Sequence, residues 1–334
     1  MRTLISRLGV VIGLGALLGS VAVSAGRAAE PVQLTIASLS PGTAWYVYGA
    51  TIADLLRPKL PSGSKVEVLP QSGGIGNAKL VSQGKANFAF SFSLTNRWAF
   101  QGRPPYNTKL DMLRGVVGGL DTYYLAVVVR ADAGIDSLAD LKEKKGKVSL
   151  GTLAVGSAGE YGASNLLGVL GVSYDDIRKA GGSVAHTNYP TMITAMKDGR
   201  MNTIIAVITP GHPSITEMAL EGSLRFLPLP PDIVAKMQDE FGYRPQTMAR
   251  GMFRGMDQDV PTVGFPTVFI TRADVPDDLV YLVTKTICEN KPALVAAHKG
   301  LSRFEPDQAW KPEGLGLPLH PGAAKYYREK GWMK

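Results

Sequence analysis

The chain is poor in the residues that most chemistry needs. One cysteine, Cys288, stands in 334 residues, which excludes an intrachain disulfide framework and any Cys-x-x-Cys redox or zinc site. The four histidines, His186, His212, His298 and His320, form no His-Glu-x-x-His pair, and none lies near a cysteine or carboxylate cluster at metal-ligand spacing. No metal and no cofactor is expected. Residues 151–157 carry the G-x-x-x-x-G skeleton of a phosphate loop, but Ser157-Ala158 stands where Lys followed by Ser or Thr is required, so the cation for a triphosphate is missing. Residues 181–185 (GGSVA) approach a nucleophile elbow without a strand before them, and read as a surface turn. Charged residues are 19% and hydrophobic ones 45% of the chain, the balance of an ordinary globular protein rather than a disordered or membrane-embedded one.

Acidic residues are absent from the first 29 positions. Arg2 and Arg7 precede an apolar run over residues 8–25, and small residues follow around Gly26, Ala28 and Ala29. This is the pattern of a secretory signal, with cleavage after Ala28 or Ala25; an uncleaved anchor is the alternative. Without residues 1–28, 33 Lys and Arg face 28 acids, a net charge of +5. That excess is spread along the chain and forms no nucleic-acid stripe. No later window approaches 18 charge-free apolar residues. A periplasmic protein is expected.

What is present is strand and helix in alternation, in a chain long enough for two α/β lobes. Residues 33–38, 65–69 and 87–92 read as strands; helices follow the first two, one begun by Thr43 with Trp45, Tyr48, Ile52 and Leu55 at helical spacing, the other over residues 77–83 and closed by Gly84. Residues 123–130 (YYLAVVVR) form a long apolar strand, residues 136–141 a capped helical turn, residues 147–151 a further strand, residues 165–169 part of a helix and residues 202–208 a buried strand. Residues 263–271 match the 123–130 strand in apolarity and could be a return crossing, after which residues 279–287 make an amphipathic helix that packs on the first lobe. The expected architecture is two lobes with a cleft between them: residues 29–122 and 264–334 in lobe I, residues 123–263 in lobe II.

Three loops rich in glycine and hydroxyl groups stand just before helices: Ser40 to Thr43, Gln71 to Gly76, and Gly156 to Gly159. Free amides and the positive end of the helix dipole let such a loop hold an anion without a metal or a lysine. Taken singly, each reads first as a tight turn with an N-cap. Three drawn from both lobes point to one shared ligand, a small anionic or zwitterionic molecule clasped between them.

Five segments, residues 40–48 (SPGTAWYVY), 71–77 (QSGGIGN), the strand into Gly151 with GSAG behind it, 263–281 (VGFPTVFITRADVPDDLVY) and 318–327 (PLHPGAAKYY), together resemble the TAXI solute-binding proteins of TRAP transporters. The likeness runs through nearly the whole mature chain. It departs where that family commonly has a glycine pair before Thr43, here Ser40-Pro41-Gly42, and where a threonine often opens the second loop, here Gln71-Ser72.

The resemblance implies a two-lobe fold of the type II periplasmic binding class, with mixed sheets flanked by helices. It also implies capture of a small carboxylate, such as an amino acid or a dicarboxylate, and delivery to integral membrane subunits without any bond being made. Glutamate and 2-oxoglutarate are the acids it suggests. In that picture Ser40, Gly42, Thr43 and Tyr46 lie at the first helix start, Gln71, Ser72, Gly73 and Asn77 at the second, and Ser91 ends the third strand. Lobe II adds Thr152, Ser157 and Gly159, with Thr209 and Pro210 after its last inner strand. Arg97 is a candidate partner for a second carboxylate. The alternatives are an ABC-type or tripartite-tricarboxylate receptor, a sensor, or an enzyme on the same scaffold with Cys288 as a covalent anchor.

Overall fold

The computed structural model describes residues 30–334 apart from 42, 72, 222 and 223; the segment expected to be a secretory signal, Gly42 and Ser72 lie outside the described residues. Residues Pro31–Lys334 form one compact unit. In chain order its first part holds β1 (Gln33–Ser38), α1 (Ala44–Leu56), β2 (Lys65–Pro70), α2 (Gly74–Ser82), β3 (Phe88–Phe92), α3 (Ser93–Gln101) and β4 (Leu113–Val117). Next come β5 (Thr122–Arg130), α4 (Asp140–Glu143), β6 (Ser149–Leu153), α5 (Ala158–Val169), α6 (Tyr174–Lys179), β7 (Ser183–Thr187), α7 (Tyr189–Lys197), β8 (Thr203–Ile208), α8 (Pro213–Glu221), β9 (Leu224–Leu227), α9 (Pro231–Lys236) and β10 (Arg244–Met248). The long strand β11 (Val260–Arg272) then leads into α10 (Asp277–Glu289), α11 (Lys291–Ala297), α12 (Pro312–Leu315) and α13 (Pro321–Glu329).

The strands run in the order β2-β1-β3-β11-β5-β8-β6-β7, with β4 and β10 also on β11 and β9 on β5. Pairing is parallel within β2-β1-β3 and within β8-β6-β7, and antiparallel along β11 and β5. Each parallel neighbour needs a crossover, and the helices that supply it begin at the C-terminal ends of the strands. That geometry gathers helix starts along one edge of each half.

β11 belongs to both halves. Its first residues pair with β10 and, through Pro266, with β5; from Thr267 onward it pairs with β3 and then β4. The four-residue link from β4 to β5 lies against it, with Leu120 N donating to Thr267 O at 3.2 Å and Thr267 N to Asp121 O at 3.0 Å. The two passages between halves are thus hydrogen-bonded to each other.

Hydrophobic pattern explains the layers. In β5, Tyr123, Leu125, Val127 and Val129 enter one core and Tyr124, Ala126 and Val128 the other; burial on both faces is why the segment reads as an unbroken apolar run. Trp45, Tyr48, Ile52 and Leu56 make the buried stripe of α1. Some expectations shift. α2 starts at Gly74, three residues earlier than the periodicity placed it. The turn near residue 136 is organised by Asp140, whose carboxylate accepts from Asp136 N at 2.7 Å and Ser137 N at 3.3 Å, so its helix begins only there. Residues 183–185, read as a turn, open the strand β7.

Two buried polar groups hold the frame. Asn77 Nδ2 donates to Ala37 O at 3.3 Å, Ser38 O at 3.2 Å and Phe90 O at 2.9 Å, tying α2 to the ends of β1 and β3. Asn77→Ala leaves those carbonyls without this donor, and urea unfolding should report a loss of about 2 kcal/mol. Asp121, at the passage between halves, accepts from Tyr48 OH at 2.7 Å. Burial raises its carboxyl to about 6, against the lowering effect of hydrogen bonds from Thr267 and Tyr48. Between pH 4 and 6 the native state alone keeps this proton, so the Asp121 contribution to stability falls as pH rises through that window. The stability of Asp121→Asn relative to wild type should therefore grow between pH 4 and 7, by at most roughly 3 kcal/mol; a pH-independent difference in denaturation midpoints contradicts this assignment.

Candidate functional site

A cavity of about 420 Å³ lies between residues of the two sheet halves. From the first half it is lined by Ser40, Thr43 and Trp45 at the start of α1, by Gln71, Gly73 and Gly74 at the start of α2, and by Phe92. From the second come Tyr123, Leu153 and Val207, Ser157 and Gly159 at the start of α5, Asn188 and Tyr189 at that of α7, and His212 and Ser214 at that of α8. Five helices present their N-terminal turns to one space.

Local sequence sets how open each turn is. Thr43 is the N-cap of α1 in extended geometry, but its hydroxyl donates to Ser40 O at 2.7 Å and caps nothing. Gly73, the N-cap of α2, has φ +94, a conformation glycine adopts without strain, and contributes no capping side chain. The first amides of α1 and α2 thus have neither an intrahelical acceptor nor a side-chain cap. The second half differs. Ser157 Oγ accepts from Glu160 N at 3.2 Å and Asn188 Oδ1 from Thr191 N at 3.0 Å. Glu160 also sets a carboxylate at the positive end of α5, accepting from Gly156 N at 3.3 Å and from Tyr174 OH at 3.2 Å. Pro190 and Pro213 remove one donor each from the first turns of α7 and α8.

The walls are aromatic. Phe92 packs against Trp45 at 4.6 Å, Tyr123 at 5.0 Å and Phe265 at 4.5 Å between ring centroids. Tyr189 lies 4.3 Å from the His212 ring. Polar tips of these rings are tied back into the protein: Trp45 Nε1 donates to Thr267 Oγ1 at 3.0 Å, and Tyr189 OH to Val207 O. No Asp, Glu, Lys or Arg is among the described residues that line the cavity.

Of the residues singled out from sequence, Ser40, Thr43, Gln71, Gly73, Ser157 and Gly159 meet in this cavity. Others fall outside its lining. Tyr46 lies one position round α1 from Trp45 and lines a separate depression with Asp54, Arg57 and Glu67. Asn77 spends its amide on strand carbonyls, and Ser91 Oγ donates to Gly74 O at 3.0 Å, so both hold the α2 start rather than face the cavity. Thr152 and Thr209 are fully buried, and Pro210 follows Thr209 without reaching the lining. Arg97 borders another depression, beside Trp310 and Leu315. Cys288 is buried on α10, its thiol pushed up to about 12 by burial. The α7 and α8 starts were not anticipated, although Asn188-Tyr189-Pro190 carries an N-cap followed by a proline in the first turn. Among the described residues, no group of three His, Cys, Asp or Glu is placed to hold a metal ion, and no helix is long and apolar enough to cross a membrane.

The chain belongs to the NMT1-like family, whose profile matches residues 36–331. It is similar in structure to MatC from Rhodopseudomonas palustris, solved with bound malate, at a TM-score of 0.58 and 14% identity, over 91% of this chain and 98% of that one. It is likewise similar to the periplasmic binding protein BugD, at a TM-score of 0.51 and 13% identity, over 90% of this chain and 95% of that one.

One glycine shapes the wall. A Cβ on Gly74 would stand 2.7 Å from Phe92 Cδ2, so Gly74→Ala should displace that ring and with it the Trp45 and Tyr123 contacts. The expected cost is about 1–3 kcal/mol by chemical denaturation, together with altered quenching of Trp45 fluorescence.

Proposed function

We propose that this protein is the extracytoplasmic solute-binding receptor of a TRAP transporter, of the TAXI type, which captures a small carboxylate by closure of residues 123–263 onto residues 29–122 and 264–334 and delivers it to integral membrane subunits. One observation carries the reading: uncapped amides of α1 and α2 open into a cavity that also receives three helix starts from the other half, with no described acid in its wall. A carboxylate placed there accepts from unpartnered donors at the positive ends of two helices, and no side-chain carboxylate of the lining repels it. The second half contributes mostly ring faces and side-chain hydroxyl, amide and imidazole groups, so Ser40, Thr43, Gln71, Gly73, Ser157 and Gly159 act with Asn188, Tyr189 and His212 as the binding set.

Closure follows from where the contacts are. Groups from both halves can touch one ligand together only in the closed form, so the ligand binds that form more tightly and shifts the population toward it. The membrane subunits then distinguish loaded from empty receptor by shape. No step in this cycle makes or breaks a covalent bond. Malate in MatC, a protein of similar fold, supports carboxylates as the class to test; it equally motivates the second reading, a receptor for a different transporter class, which transport assays with the cognate membrane subunits distinguish.

The test is a thermal-shift screen of carboxylic acids including glutamate, 2-oxoglutarate, malate and branched or aromatic monocarboxylates. A true ligand at a hundredfold its dissociation constant adds about 2.7 kcal/mol, equivalent to a rise in melting temperature of roughly 4 °C for a chain of this size. One site per chain is expected by isothermal titration. A screen in which no carboxylate raises the melting temperature refutes the proposal.

A further inference from the structure

Among the described residues that line the cavity, His212 alone has a buried side-chain polar atom without a hydrogen-bond partner. Three of the four histidines begin a helical turn in the same local pattern: His298-Lys299-Gly300, His320-Pro321-Gly322 and His212-Pro213-Ser214. In the first two, Nδ1 folds back and accepts the amide two residues on, from Gly300 N at 3.0 Å and Gly322 N at 3.1 Å. His212 makes no such bond. Its ring lies instead against Tyr189, in the cavity wall, only 8% exposed and with Nδ1 buried and unpartnered. A buried polar atom without a partner costs free energy unless something else satisfies it.

The charge census of the same wall limits what that something is. The described lining holds no Asp, Glu, Lys or Arg, and the two loop positions outside the described residues are glycine and serine, Gly42 and Ser72. The α1 and α2 amides can receive one carboxylate. A second carboxylate, or the ammonium of an amino acid, would be desolvated with no counter-charge, at a cost that a few neutral hydrogen bonds do not recover. Burial, with a smaller contribution from His298, lowers the imidazole to about 4, so His212 is neutral above that pH and offers no cation for a second acid. The rings of Trp45, Phe92, Tyr123 and Tyr189 suit an apolar body.

Resting on the carboxylate reading above, we propose that the ligand is a monocarboxylate with an apolar body and one uncharged hydrogen-bonding group, such as a branched or aromatic 2-oxo or hydroxy acid, and that His212 is the residue that reads that group. This departs from the glutamate and 2-oxoglutarate suggested by the family resemblance.

Isothermal titration of the purified chain tests it with 4-methyl-2-oxopentanoate and phenylpyruvate, set against glutamate, 2-oxoglutarate and malate, and against the methyl esters of the first two. The monocarboxylates should bind at least about tenfold more tightly than the diacids and glutamate, with no net proton uptake across buffers of differing ionisation enthalpy. His212→Ala should weaken 4-methyl-2-oxopentanoate about tenfold but 4-methylpentanoate, which lacks the oxo group, less than about twofold; His212→Asn, which keeps a polar side chain, should recover part of the loss. Tighter binding of a diacid or of glutamate, or proton uptake on binding, overturns the inference while the carboxylate reading stands. Esters that bind as well as the acids, or binding by none of the acids, overturn that reading and the inference with it. Equal weakening of oxo and parent acids by His212→Ala removes His212 from its assigned role, and should that variant fail to melt cooperatively, His212→Asn and the wild-type series still decide.

Discussion

The structure depends on the continuity of β11. Thirteen residues form one strand whose first part is hydrogen-bonded to β10 and β5 and whose second part is hydrogen-bonded to β3 and β4. Because the strand is antiparallel to β3 and β5, and β5 in turn to β8, the parallel sets beyond them, β3 with β1 and β2 and β8 with β6 and β7, meet the cavity by the C-terminal ends of their strands. Crossover helices begin at those ends. The convergence of five helix starts is therefore a consequence of pairing direction, and the cavity is assembled by backbone topology before any side chain is considered.

Much of this was legible in the residue pattern, and the reasons can be read element by element. β5 announces itself because both of its faces are buried, and α1 because Trp45, Tyr48 and Ile52 share one stripe. β4, β9 and β10 were not legible: they are four or five residues long, and Arg244-Pro245-Gln246 in β10 has neither alternation nor strand-forming residues. Two loops of the cavity were visible as glycine-rich helix starts, and Ser157 with Gly159 as a third. The α7 and α8 starts were missed because nothing in local spacing says that Asn188 and His212 end up beside Thr43; that follows from the order in which β7 and β8 join the sheet.

The residues that fell outside the cavity teach the complementary lesson. Tyr46 and Trp45 are adjacent in sequence, yet about 100° apart around the helix, and the cavity receives Trp45. Asn77, Ser91 and Thr209 are polar, buried and close in sequence to the right loops, which is also the description of side chains that satisfy backbone groups at strand ends. Composition cannot separate a donor offered to a ligand from one already engaged. Partner geometry can, and it moves attention from Asn77 to His212.

The short link of residues 118–121 has a mechanical consequence. Four residues span at most about 14 Å when extended, and this link is bonded to both the N–H and the carbonyl of Thr267 in β11. Two adjoining tethers of this kind resist shear and stretch but yield to torsion. Closure of the kind proposed above would therefore have to pivot close to Thr267, and would carry the α7 and α8 starts along an arc about that point.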